Sequence, residues 1–181
     1  MYTRTRNNLF AGAVLFAIAA APIAASAQQT LTPVRVTANV AYADRLAVEA
    51  DSLSRMLTTA RKAAKLYEMS AEHRPVGDAK GYASLRAAAF LRYHAGEKSR
   101  SLGLMERAAQ GAAEQGDVIA AANCYIDAAI IAGELKQGVR AQELSRHAAL
   151  LAKSPLLDGA QRTALLVRMD GWRAVTDVAM R

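Results

Sequence analysis

The stretch that decides the fold is Leu85-Arg86-Ala87-Ala88-Ala89-Phe90-Leu91-Arg92-Tyr93-His94-Ala95-Gly96, read against Tyr125-Ile126-Asp127-Ala128-Ala129-Ile130-Ile131-Ala132-Gly133-Glu134-Leu135-Lys136 forty positions later. Leu85 aligns with Tyr125, Ala88 and Ala89 with Ala128 and Ala129, and Phe90 with Ile130. Further on, Ser101 meets Ala141, Leu104 meets Leu144 and Ala108 meets Ala148. Alanine favours helix and adds almost no bulk, so paired alanines let two helices approach closely while the large neighbours fill the gaps. A recurrence at fixed period is the mark of stacked supersecondary units.

Working outward, the punctuation divides the chain into helices. Gly96, Gly116, Gly138 and Pro155 separate segments predicted at 79–94, 98–114, 118–135, 138–153 and 159–178. Asp117 and Asp158 stand at N-cap positions, and Gln161 completes a capping box with Asp158. Upstream, Arg74-Pro75-Val76-Gly77-Asp78 is a clear stop. Between Ala38 and His73, apolar residues from Leu46 to Tyr67 fall near helical spacing with no Gly or Pro, which leaves one long helix or a hairpin open. The segment 159–178 places Leu165, Met169, Trp172 and Val175 beside Arg162, Arg168, Asp170, Arg173 and Asp177, as a terminal capping helix does.

Over residues 80–156 the chain resembles the tetratricopeptide repeat family. The matching positions are Leu85, Ala88-Ala89, Gly96, Ser101, Met105 and Ala108 in one unit, and Tyr125, Ala128-Ala129, Ala141 and Ala148 in the next, with Pro155 closing the helix. It departs from the family in its period of 40, in Lys136 at the turn glycine, and in Arg92 and Ala132 at a usual aromatic. The resemblance implies an all-α fold of antiparallel helix pairs, stacked as a short solenoid with a C-terminal capping helix. It implies a protein–protein interaction module that holds a peptide or protein segment in a concave groove. The groove residues it indicates are Arg86, Phe90, Tyr93 and His94 from one unit and Asn123, Ile126, Ile130 and Glu134 from the other. The residues themselves allow Phe90, Ile126 and Ile130 to be core instead. The family's carboxylate clamp is unmatched, because Phe90 and Asp127 stand where it uses Asn.

The N-terminus speaks to compartment. Arg4 and Arg6 precede an apolar run from Leu9 to Ala21, Pro22 breaks it, and Ala25-Ser26-Ala27 has the small-x-small form of a cleavage site. These are the parts of a secretory signal peptide over residues 1–27. The run is too short for a membrane span, since about 20 residues are needed, and no Cys follows it for lipidation. The expected destination is the periplasm or the exterior. Residues 28–38, with alternating Thr and Val and a helix-blocking Pro33, read as an extended leader. Thr32 to Ala38 also resemble the TonB box of outer-membrane receptors, which implies strand addition to a partner, although no plug or barrel follows. Residues 39–181 form the helical domain.

Composition narrows the chemistry. The 181-residue chain carries 23 Lys and Arg against 16 Asp and Glu. Removing Arg4 and Arg6 lowers the formal charge from +7 to +5. The charges are scattered, which suits weak attraction to anionic lipid or polysaccharide rather than nucleic acid. The single Cys124 cannot form an internal disulfide or a haem-attachment pair and reads as a small buried hydrophobe. There is no phosphate loop, nucleophile elbow or zinc-binding helix motif. His73, His94 and His147 are not spaced as metal ligands. Glu97, Glu106, Glu114, Asp127 and Glu134 could pair for acid–base work only by folding, and Asp127 is expected to bond a neighbouring helix. No catalytic residue, metal or cofactor is assigned. Alternatives are an accessory subunit of an envelope complex, held by basic faces and the leader, or a small-ligand bundle with a pocket lined by Asp127, Arg86 and Tyr125.

Overall fold

The computed structural model describes the backbone of residues 39–179 and the side chains of residues 39–171. The signal peptide and leader read from residues 1–38 lie outside the described residues, as do the side chains of Trp172, Arg173, Val175 and Asp177. The described chain is all-α. Its helices are α1 (Val40–Ser54), α2 (Ala60–Glu72), α3 (Ala79–His94), α4 (Lys98–Glu114), α5 (Val118–Glu134), α6 (Gly138–Leu151) and α7 (Gly159–Ala179). Between α1 and α2 lies a single 3-10 turn, Leu57–Thr59. Residues 40–72 are thus a hairpin. Its turn needs no Gly or Pro, because Thr59 Oγ1 donates to the carbonyl oxygens of Leu53 and Met56 and closes the chain reversal. No helix among the described residues is long and apolar enough to cross a membrane.

Each helix from α1 to α6 packs on the next, and α7 packs on α5. Four helices begin with an Asn or Asp whose side chain accepts a backbone N–H of the first turn. Asn39 bonds Tyr42, Asp78 bonds Lys80, Asp117 bonds Ala120 and Asp158 bonds Gln161. Such caps satisfy donors that the helix itself leaves free. Gln161 Oε1 accepts from the Asp158 N–H at 3.0 Å, which completes the capping box. The caps at 78 and 117 are 39 residues apart, whereas the left-handed turn residues Gly96 and Lys136 are 40 apart. The extra residue lies within α5, which has 17 residues against 16 in α3.

Ala88, Ala89, Ala108, Ala128, Ala129 and Ala148 are wholly buried, and Ala141 nearly so. The few large side chains that are fully enclosed include Met105, Ile126 and Leu144. One apolar cluster runs from α1 to α6 and a second joins α5, α6 and α7. Ser101 fits the same close contacts because its hydroxyl donates to the Ala89 carbonyl at 2.7 Å.

Arg92, where the resemblance implied an aromatic, does different work. It is buried, and its Nε donates to Glu68 Oε1 at 2.9 Å while Nη1 donates to Glu97 Oε2 at 2.8 Å. Arg100 of α4 reaches the other oxygen of Glu68. A charged hub therefore joins α2, α3 and α4.

Lys136 holds φ = 60°, a left-handed conformation costly for a residue with a Cβ. Replacing Lys136 with Gly is expected to raise stability by about 0.5–1 kcal/mol. Asp117→Ala removes both a cap and the acceptor of the Tyr82 hydroxyl, and is expected to lower stability by about 1–2 kcal/mol. Thermal unfolding followed by circular dichroism checks both, and opposite signs are required.

Candidate functional site

The site is built across α3 and α5. Helical spacing places Phe90, Tyr93 and His94 on neighbouring positions of α3. With Asp127, Ile130 and Ile131 of α5 they line an open groove of ≈ 220 Å³. Phe90 is 38% exposed although large and apolar. Tyr93 is half-buried and stands edge-on to His94, with ring centres 5.6 Å apart.

Polar contacts tie the two walls together. The Tyr93 hydroxyl donates to Glu134 Oε1 at 2.7 Å, and Lys98 Nζ lies 2.9 Å from Glu134 Oε2. The ammonium of Lys98 also sits over the Tyr93 ring, 5.6 Å from its centre. Burial pushes the Glu134 carboxyl up, but the hydrogen bonds from Lys98 and Tyr93 outweigh it and hold it below the usual carboxylate range. The same hydrogen bond raises the Tyr93 phenol, with burial adding to it.

Asp127 lies at the junction of three helices. Its Oδ1 accepts from Arg168 Nη2 of α7, and Arg168 Nη1 donates to Asn123 Oδ1. Arg86 of α3 lies on the other side, with Nη2 3.8 Å from Asp127 Oδ2 and its guanidinium 5.4 Å above the centre of the Phe90 ring. Burial raises the Asp127 carboxyl above its ordinary value, against the pull of Arg168 and Arg86.

Of the eight predicted groove residues, Phe90, Tyr93, His94 and Ile130 line the groove, and Arg86 and Glu134 contact its walls. Asn123 is engaged with Arg168. Ile126 is a correction: at 2% exposure it belongs to the cluster of α5, α6 and α7 and faces away from solvent. Asp127 bonds a neighbouring helix, as its sequence context suggested. Tyr125 is not at the groove; it stacks on His147 with ring centres 5.1 Å apart. Sequence reading missed Ile131 as a lining residue and missed the Asp127–Arg168 pair. A signal was present: Asp127 and Arg168 are 41 residues apart, and so are Tyr93 and Glu134. These pairs bridge α3 to α5 and α5 to α7.

The remaining candidates are dispersed. Glu97 pairs with Arg61 and Arg92, Glu106 with Arg140, and Glu134 with Lys98, so these carboxylates serve separate ion pairs. Cys124 is buried, and burial pushes its thiol up to about 11. Among the described residues no group of His, Cys, Asp and Glu is arranged to hold a metal ion. A larger cleft of ≈ 310 Å³ lies beside the turn before α3, lined in part by Arg74, Tyr82, Arg107 and Gln115. The sequence reading took that turn only as a helix stop.

Comparison with known proteins finds no matching family model, no matching curated protein and no matching solved structure.

The carboxyls have a defined pH signature. Hydrogen bonds from Arg74 and Lys80 hold Asp44 below its ordinary value. Asp78 is also low, because bonds from Arg74 and Lys80 outweigh burial. Groups lowered in the folded state stabilise it above their unfolded pKa, near 4, and that stability is lost as pH falls through the folded value. Asp127 has the opposite sign, since its protonation favours the folded state. Tm is therefore expected to fall on acidification below about pH 4. Asp44→Asn flattens that fall and Asp127→Asn steepens it. Melting curves between pH 3 and pH 7 test this, and parallel slopes for the two variants would refute it.

Proposed function

We propose that this chain is an exported helical-repeat protein of the cell envelope that acts as a protein–protein interaction module. In this reading the described helices form a short tetratricopeptide-like solenoid: α1 with α2, α3 with α4 and α5 with α6 as repeats, and α7 as the terminal cap. Support comes from recurrence. The Asn and Asp caps open α1, α3, α5 and α7 at residues 39, 78, 117 and 158. Contacts between consecutive first helices recur, in Lys80–Asp44, Tyr93–Glu134 and Arg168–Asp127. A peptide or protein segment lies in the groove between α3 and α5.

The observation that carries the binding role is the placement of Phe90 and Tyr93. Aromatic side chains flanked by Arg supply most of the energy in protein interfaces. Phe90 is exposed in a chain with only 6% aromatic residues, beside Tyr93 and against Ile130. Burying a Phe ring on a partner contributes about 1.5–3 kcal/mol.

An accessory-subunit reading rests on a different surface. Val139 and Leu150 of α6, Leu156 of the following turn and Val167 of α7 are each more than half exposed. A subunit docked through these residues and the leader would not need the groove.

One capture experiment separates the two. Tagged full-length chain is expressed in its host, and envelope proteins retained by it are compared with those retained by Phe90→Ala and by a deletion of residues 28–38. The groove reading requires that Phe90→Ala lose the partner at least about tenfold, as expected for loss of an interface aromatic, with helicity unchanged by circular dichroism. Loss only on deletion of the leader favours the accessory subunit.

A further inference from the structure

The larger cleft, of ≈ 310 Å³, shares no lining residue with the groove of Phe90 and Tyr93. One wall is a single face of α4, where Arg107, Gln110, Glu114 and Gln115 recur at helical spacing. The turn Pro75-Val76-Gly77-Asp78 forms another wall, and Ala71 and Leu85 add apolar lining. Two of the charged residues here are already committed. Arg74, with a side chain only 2% exposed, donates from Nη1 to Asp78 at 2.9 Å and from Nη2 to Asp44 at 2.7 Å. Asp78 also caps α3. The other two charges are open. Arg107 and Glu114 are exposed, line the cleft and pair with no other described residue. Gln110 and Gln115 are exposed as well. The Gln115 side chain reaches across to the turn, since a Cβ on Gly77 would lie 3.2 Å from Gln115 Nε2. The α4 wall thus presents an accessible cation, an accessible carboxylate and two accessible carboxamides. The two charges are seven residues apart on one helix, or about 10 Å along its axis.

We propose that this cleft binds a short peptide with both termini free, three small residues in length, its carboxylate on Arg107 and its ammonium on Glu114. Three extended residues span about 10 Å, so the two ends meet both charges at once. The peptide groups between them offer N–H donors and carbonyl acceptors, and the carboxamides of Gln110 and Gln115 can bond either kind. The direction follows from α4. Glu114 is its last residue, and the helix C-terminus adds partial negative charge that favours a cation there. At the other end a guanidinium holds a carboxylate through two parallel N–H bonds. A simple anion or a simple cation would satisfy one charge and leave the other without a partner. The apolar lining and the small volume favour short aliphatic side chains.

The test is calorimetric titration of the purified full-length protein with tri-alanine, its N-acetylated form, its C-terminal amide, di-alanine and penta-alanine. Tri-alanine is expected to bind about tenfold more tightly than each of the others, because a cap or a wrong length removes one charge-assisted hydrogen bond. Arg107→Met should weaken tri-alanine about tenfold and bring it level with its amide, while acetylation still lowers affinity. Glu114→Gln should bring tri-alanine level with the acetylated form, while amidation still lowers affinity. This pairing of one residue with one terminus is a coupling that general loss of structure does not produce. Both side chains are exposed, and circular dichroism checks that each variant folds. Equal affinity for free and capped peptides overturns the proposal. So does an affinity that rises from three residues to five, or no binding of tri-alanine at millimolar concentration.

Discussion

Closeness between helices is the constraint from which the rest follows. Where alanine meets alanine, two backbones can approach until their grooves and ridges interlock, and dispersion between many small contacts replaces the bulk of large side chains. Ala88, Ala89, Ala128 and Ala129 are all fully buried in one apolar cluster at the centre of the chain. The consequence is a low tolerance for volume: an interior at this density has nowhere to put an added methylene without moving a helix. Large side chains are then confined to gaps, such as Met105 and Leu144, or displaced to the outside, as Phe90 is.

Polar groups take over where apolar bulk is scarce. Glu68, Arg92 and Arg100 tie three consecutive helices, and Asp127 with Arg168 ties α5 to α7. Such buried pairs contribute little net stability, because desolvation offsets their attraction. Their effect is on register. A one-residue slip of α5 against α3 would part Tyr93 from Glu134 and move Asp127 away from Arg86, so the pairs penalise misaligned stacking more than they reward the correct one.

Much of the fold was legible because it is written locally. The predicted segments 79–94 and 98–114 coincide with α3 and α4, since Gly96 and Gly116 sit at left-handed turn positions and Asp78 caps where a cap was needed. The hairpin of α1 and α2 was left open because its turn is closed by Thr59, and a hydroxyl bonding two carbonyls leaves no breaker in the sequence. The groove was only partly legible. Ile126 and Ile130 are four residues apart on one helix and look equivalent by periodicity, yet the first is enclosed in the cluster of α5, α6 and α7, while the second only packs against that cluster and also lines the groove. Arg168 was read only as one of the charged residues of a capping helix. Its bond to Asp127 depends on how α7 lies on α5, and no local pattern encodes that.

That bond has a consequence for chain length. Asp127 has two cations beside it, and one of them arrives only with the last helix. A protein cut just before Gly159 would keep every groove wall and yet uncover Ile126, strip Asn123 of its donor and leave Asp127 to Arg86 alone. The guanidinium would be drawn off the Phe90 ring toward the carboxylate. The three hairpins that such a cut leaves are therefore not a smaller copy of the same groove, and α7 belongs to its identity.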